Sequence, residues 1–398
     1  MPAIGILDEV PGDLGVLLWR SVRNVNLWAA TPPAARGALF DGGAADVREA
    51  DLSRLEVEAE IAAPLSVMVR LLESPAGMDV GRVVNACRRV SVWAEQRGAL
   101  ATALEFMQTA ALCAPQVAAL AYAVGRLARR RAEYDRAESW FGRAVVQARR
   151  TRDWRSYALA FSGLGNLNVQ KGNFPTAKRA HVRCLRAALR HDLVDLQGSA
   201  YHDLFVTEIE TGAGAGADAF AEQAFRAYGE GHPKVPRLAY DVAYHWMLEG
   251  FFGDALRLAQ ALGPHFEAPA EQALVVALVT RSAGGAGDRG AFERGRRELE
   301  GLLAGVGEDA AARALLGVAY GAASLHDWQT ARTYATRALD LATERREGRV
   351  VLAAEAALES VSARLSAQAS TPRPSATRLA DAFVQALTRP AGGALVGA

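Results

Sequence analysis

Arginine is the residue with the most chemistry to offer in this chain, and it is unevenly placed. Residues 118–190 carry 16 Arg and Lys side chains against Glu133, Asp135, Glu138 and Asp153, a net of +12. The other 325 residues hold 29 basic and 40 acidic groups, so the overall charge of +1 conceals a basic segment inside an acidic body. A guanidinium fork matches a carboxylate in plane, and a field of one sign steers ligands of the other. Catalytic chemistry has no comparable set. The chain contains no His-Glu-x-x-His, no Gly-x-Ser-x-Gly, no phosphate-cradling Gly-Lys-Ser/Thr and no paired Asp cluster for magnesium. His191-Asp192 and His202-Asp203 are sequence neighbours, but neighbours on a helix point about 100° apart and make no dyad. Cys87, Cys113 and Cys184 lack disulfide or zinc spacing and are expected to be small buried apolar residues. The expectation is a protein without catalytic activity, metal or cofactor.

The elements that must position those arginines follow from a repeated pattern. Gly125, Tyr134, Ala137, Phe141, Ala144 recurs forty residues later as Gly165, Phe174, Ala177, His181, Cys184, with the same internal offsets of 9, 12, 16 and 19. The second part of the pattern returns at Leu100-Ala103-Met107-Ala110, Phe252-Ala255-Ala259-Leu262 and Trp328-Ala331-Ala335-Ala338. Worn copies are Asp218-Ala221-Phe225-Tyr228 and Phe292-Gly295-Leu299-Leu302. Offsets of 3 and 4 put each set on one helix face. The small residue lets a partner helix come close while its large neighbours fill the flanks. Glycine inside a helix costs roughly 1 kcal/mol against Ala, and close approach at Gly125 and Gly165 would compensate. Self-similarity at this period means stacked helical hairpins.

This pattern resembles the tetratricopeptide repeat (TPR) family. The match lies in Leu164-Gly165, in Gly172-Asn173-Phe174-Pro175-Thr176-Ala177, in Ala132-Glu133-Tyr134-Asp135-Arg136-Ala137 and in Gly250-Phe251-Phe252-Gly253-Asp254-Ala255. The resemblance implies an all-α, right-handed superhelical array with an N-terminal helical cap region and a C-terminal capping helix. The expected organisation is residues 1–83 as a helical cap region, 84–345 as about seven hairpins, 346–368 as the capping helix, and 369–398 as linker, short amphipathic helix and tail. Successive copies lie 34, 40, 44, 34, 40 and 36 residues apart, and the longer steps imply longer helices or loops. In residues 1–83, helices are expected on either side of Pro64. Gly212–Gly216 and Ser282–Gly287 are expected as loops, and Trp19, Trp28, Trp93, Trp246 and Trp328 as core. The Leu379-Phe383-Leu387 helix is expected to dock on the last repeat or to engage a partner.

In this family the first helices of the hairpins line a concave groove. Carried over, the partner-binding wall holds Asn85, Arg88, Arg89, Tyr122, Arg126, Arg129, Arg130, Ser162, Asn166, Gln170, His202, Asp203, Arg237, Tyr240, Asp241 and Tyr244. The peptide-terminus clamp of chaperone adaptors is not reproduced, because Arg126 and Gly163 stand where it needs Asn. The implied function is a non-catalytic scaffold that binds a protein or peptide partner, acidic or extended. One alternative is a ligand-sensing bacterial regulator whose array changes curvature. Another, disfavoured by few interleaved aromatics, is RNA or single-strand binding through residues 118–190. With no basic-then-apolar leader and no apolar run near 18 residues, the expected location is cytoplasmic, away from membrane.

Overall fold

The computed structural model describes residues 5–41, 43–55, 57–212, 216–303, 308–344, 347–364 and 378–389. Every regular element among them is helical. The chain opens with α1 (Ile6–Glu9), α2 (Gly12–Ala30), α3 (Ala44–Arg54) and α4 (Ala59–Glu73). Hairpins follow as α5 (Val80–Gln96) with α6 (Leu100–Cys113), α7 (Ala118–Arg130) with α8 (Tyr134–Thr151), and α9 (Trp154–Gln170) with α10 (Phe174–Arg190). Next come α11 (Val194–Glu210) and α12 (Ala217–Tyr228), then the hairpins α13 (Val235–Leu248) with α14 (Phe252–Leu262) and α15 (Pro269–Gly285) with α16 (Arg289–Leu303). The series closes with α17 (Glu308–Ser324) and α18 (Trp328–Glu344), then α19 (Gly348–Ser362) and α20 (Arg378–Thr388). The longer spacing is taken up in helix length: α8 has 18 residues, and α9 and α10 have 17 each.

Local chemistry sets these boundaries. Side chains of Asp79, Asp153 and Asn173 accept from the backbone N–H three residues on, at 2.8, 3.0 and 3.3 Å, capping α5, α9 and α10. Hairpin corners carry a left-handed residue just before the second helix: Gly98, Ala132, Gly172, Gly250, Gly287 and His326, with φ between 59° and 87°. Glycine takes that conformation without cost, whereas Ala132 and His326 do not.

The packing is small against large. An ideal Cβ on Gly125 would lie 2.6 Å from the Phe141 ring, and one on Gly163 would lie 2.5 Å from the same ring. Phe141 is therefore held between α7 and α9. A Cβ on Gly165 would come within 2.2 Å of His181. The paired small residues Ala103, Ala137, Ala177, Ala255 and Ala331 are all fully buried.

The described chain divides into two compact units, 1–207 and 208–398. In the first, Leu18, Trp28 and Leu65 of the opening helices share one core with Phe106 and Phe141 of the hairpins. Glu9 caps α6, its carboxylate accepting from the backbone N–H of Ala101 at 2.7 Å and of Thr102 at 2.8 Å. In the second unit, α15 to α19 surround a core that includes Phe292, Leu299 and Tyr334.

Several expectations need correction. Pro64 does not separate two helices; it lies inside α4. Its missing N–H frees the carbonyl four residues back, and Arg89 Nη2 donates to that Glu60 oxygen at 3.0 Å. Ser282–Gly285 is the last turn of α15 rather than a loop. Its glycines are there for contact, since a Cβ on Gly284 would meet the Gly321 carbonyl at 2.3 Å and one on Gly285 the Phe252 ring at 2.4 Å. Trp19 is 39% exposed, with the Arg23 guanidinium stacked over it at 4.9 Å, so it is not core. Trp328 is half-buried, while Trp28, Trp93 and Trp246 are buried. The 213–215 part of the expected Gly212–Gly216 loop lies outside the described residues, as does most of the 369–398 linker and tail. Helix α20 docks within its own unit, but on α14 and α13 rather than on the last hairpin. Phe383 is fully buried, 4.5 Å from the Phe225 ring, and Arg257 holds Asp381 at 2.5 Å.

Candidate functional site

The first helices of unit 1 bring most of the basic candidates together. On α5, Asn85, Arg88 and Arg89 line a shallow pocket of about 280 Å³ with Glu60, Val92, Trp93 and Gln96. Arg88 is exposed and makes no ion pair among the described residues, whereas Arg89 is tied to the Glu60 carbonyl. On α7, Arg126 makes a fork-to-fork pair with Glu95, at 2.5 and 2.6 Å, and Arg130 reaches the same carboxylate. The hydrogen bond from Arg126 is the main reason that Glu95 titrates below the usual carboxylate range.

Arg129 is different. It is half-buried, its Nε has no hydrogen-bond partner, and it makes no ion pair among the described residues. Burial pulls its guanidinium below the ordinary value, with Tyr122 and Asp203 acting against that. Tyr122 sits about two turns earlier on α7 and packs on Phe141 at 6.0 Å. Asp203, on α11, accepts from Ser162 Oγ of α9 at 2.8 Å and stands 3.5 Å from His181 Nδ1. Residues from α9, α10 and α11 thus meet around one carboxylate, with Tyr122 and Arg129 of α7 in its electrostatic reach. His181 is fully buried with neither ring nitrogen hydrogen-bonded, and burial lowers its pKa, with Asp203 opposing.

The remaining candidates are more dispersed. Asn166 is half-buried and Gln170 exposed on α9, and His202 is half-buried on α11. Elsewhere on the basic segment much of the charge is locally matched. Arg155 pairs with Asp195 at 2.5 Å, Lys171 with Glu138 at 2.7 Å, and Arg136 with Glu133 at 2.8 Å. In unit 2, Tyr240 is buried enough to be pushed up to about 12 and packs on Phe266, while Tyr244 is 40% exposed. Arg237 stacks over Tyr240 at 5.4 Å and pairs with Asp241 at 3.4 Å.

Sequence reasoning missed Glu95, Arg281 and Tyr320. Glu95 lies on α5, and nothing in its local sequence announces that it reaches the next hairpin. Arg281 and Tyr320 did have a signal: they occupy the registers of Asp241 and Tyr244 one and two hairpins later. Among the described residues no cluster of three or more His, Cys, Asp or Glu is placed to hold a metal ion. No described helix is long and apolar enough to cross a membrane.

No protein-family model matches the chain, and no curated protein does. Solved structures do. A Rap protein complexed with competence and sporulation factor is 12% identical with a TM-score of 0.50, covering 84% of this chain and 99% of its own. Aspartyl phosphate phosphatase F from Bacillus subtilis is 10% identical with a TM-score of 0.49, covering 95% and 99%. The TPR2AB domain of yeast Sti1, in complex with pHSP90, is 14% identical with a TM-score of 0.30, covering 71% and 99%. At such identities a likeness concerns fold alone. Successive helical hairpins, the glycine-against-ring contacts within them and the shared architecture together give this chain a tetratricopeptide-like helical-repeat fold.

Proposed function

We propose that the chain is a non-catalytic protein-binding scaffold whose unit 1 holds an acidic, extended segment along its first helices. One observation carries the reading: Arg129 keeps a half-buried guanidinium with no ion pair among the described residues, and Arg88, on α5, is exposed and likewise without one. A buried cation without a counter-ion is costly to the free protein. A ligand carboxylate would supply the missing partner and the missing hydrogen-bond acceptor. Arg126 and Arg130, already engaged by Glu95, act as a shared clamp that an acidic ligand must compete for. Tyr122 contributes rigid contact area at small entropic cost.

The test uses a fluorescein-labelled peptide of alternating Glu and Ala, with a Gln version as control. Binding is expected for the Glu peptide alone, weakening with salt. The double variant Arg88→Glu, Arg129→Glu should bind it at least tenfold more weakly. Unchanged binding by a folded double variant would reject the assignment.

A second reading, a ligand-sensing regulator whose array changes curvature, draws support from the Rap protein of similar fold solved with competence and sporulation factor. Small-angle scattering with and without bound peptide would separate the two, since a passive scaffold keeps one radius of gyration.

A further inference from the structure

We propose that Arg281, Tyr244 and Tyr320 form a second ligand site, in unit 2, that takes a carboxylate. The proposal rests on the reading of the first helices as ligand-facing, and extends it to residues and chemistry not included there. The three side chains come from α13, α15 and α17, which are first helices of successive hairpins.

The scaffold beneath them is held tightly. A Cβ on Gly284 would lie 2.3 Å from the Gly321 carbonyl, and one on Gly317 would lie 3.2 Å from Ala277. Helices α15 and α17 therefore meet backbone to backbone, and the Arg281 Cα lies 3.2 Å from where a Gly321 Cβ would be. The Arg281 guanidinium carbon sits 4.3 Å from the centre of the Tyr320 ring. Tyr320 is itself fixed, its hydroxyl donating to the Ala353 carbonyl of α19 at 3.2 Å. A guanidinium stacked by one face on an aromatic ring retains its in-plane N–H edges for a planar oxyanion.

Those edges are unused. Arg281 has no hydrogen bond and no ion pair among the described residues, although it is half-buried. Three other arginines of the unit are matched: Arg257 to Asp381 at 2.5 Å, Arg296 to Glu293 at 2.7 Å and Arg337 to Glu300 at 2.5 Å. Burial pulls the Arg281 pKa below the ordinary value, with the hydroxyls of Tyr244 and Tyr320 acting against that. Tyr244, 40% exposed and in electrostatic reach of both partners, offers a further donor at the open side. A cation desolvated, stacked and left without an anion is a poor contributor to stability. The same arrangement is pre-organised to accept a carboxylate in the fork geometry.

A carboxylate can arrive as an acidic side chain or as a chain terminus, and the test separates them. Three fluorescein-labelled Ala/Tyr hexapeptides are used: one with a free C-terminus and no acidic residue, one amidated with a central Glu, and one amidated with a central Gln. Anisotropy titrations are run on the full chain and on the Arg88→Glu, Arg129→Glu background, which removes the unit 1 site, alone and with Arg281→Gln or Arg281→Lys added. At least one carboxylate peptide should bind tenfold or more tightly than the Gln control. That preference should persist in the Arg88→Glu, Arg129→Glu background, vanish when Arg281→Gln is added, and weaken when Arg281→Lys is added, which keeps the charge and loses the fork. The free-terminus or the Glu peptide, whichever responds, identifies the source. Arg281→Gln should also melt at or above the temperature of the native protein, which a merely structural arginine would not allow. Equal binding of all three peptides, no binding at all, or a preference untouched by Arg281→Gln each overturns the site. A preference shown by the full chain and already lost in the Arg88→Glu, Arg129→Glu background overturns it while leaving the unit 1 reading intact.

Discussion

At the scale of single residues, the glycines beneath Phe141 and His181 are the sharpest constraint. Gly125→Ala and Gly165→Ala each replace a poor helix former by the best one, a gain of roughly 1 kcal/mol. Yet the new methyl would stand 2.6 Å or less from a ring that is itself fully buried. Overpacking of this kind costs about 1–3 kcal/mol or more, so both variants should melt below the native protein despite the better helix propensity. His181 gives a second test. It occupies the register of Phe141 but leaves two ring nitrogens buried and without a hydrogen bond. His181→Phe should stabilise unit 1 by about 1–2 kcal/mol, the scale of an unsatisfied buried polar group. The pH sign follows from burial, which lowers the folded pKa of His181 with Asp203 opposing. The unfolded chain then binds the proton more readily, so stability is full above about pH 6.5 and falls as the pH drops toward 5. His181→Phe should flatten that slope in thermal melts, the remainder belonging to His245, whose pKa burial also lowers. Thiols follow the same logic. Burial pushes Cys113 up to about 11 and Cys184 to about 12, so Ellman's reagent at pH 8 should label them at rates limited by opening of the fold.

At the scale of elements, the hairpin corners and the docked terminal helix are the places to probe. Ala132 turns the α7–α8 corner with φ 59°, where the other corners mostly use glycine. A non-glycine residue there costs about 1 kcal/mol, and Ala132→Gly should recover much of it as a higher melting temperature. Helix α20 is held by Phe383, fully buried against Phe225. Phe383→Ala should destabilise unit 2 by about 3 kcal/mol and expose the helix to limited proteolysis. These elements also show what the sequence made legible. Helix faces, hairpin corners and the glycine contacts follow from short offsets and were readable, because helical periodicity is a local property. The seat of α20 was not, since which of several apolar faces it covers depends on residues more than a hundred positions away. The candidate site was half legible for the same reason. Register placed Arg126 and Arg130 on the right helix, but their capture by Glu95 is a tertiary event, and Pro64 was misjudged because its orphaned carbonyl is rescued by Arg89 from another helix.

At the scale of the whole molecule, hairpins that touch only their neighbours should respond locally to damage. Gly165→Ala is expected to raise amide hydrogen exchange across 118–207 while leaving 269–362 close to native, a pattern that mass spectrometry resolves by peptide. A uniform rise in exchange over both units would show instead that the chain unfolds as one cooperative body.

The ring of Phe141 has a consequence for how such a chain can be rebuilt. It fills a notch cut by Gly125 in its own hairpin and by Gly163 in the next. No hairpin is therefore a complete brick. Excising or duplicating residues 118–151 as a cassette would leave a hole at one seam and a collision at the other. Recombination that respects the fold must carry α7, α8 and α9 together, so that the ring keeps both of its notches.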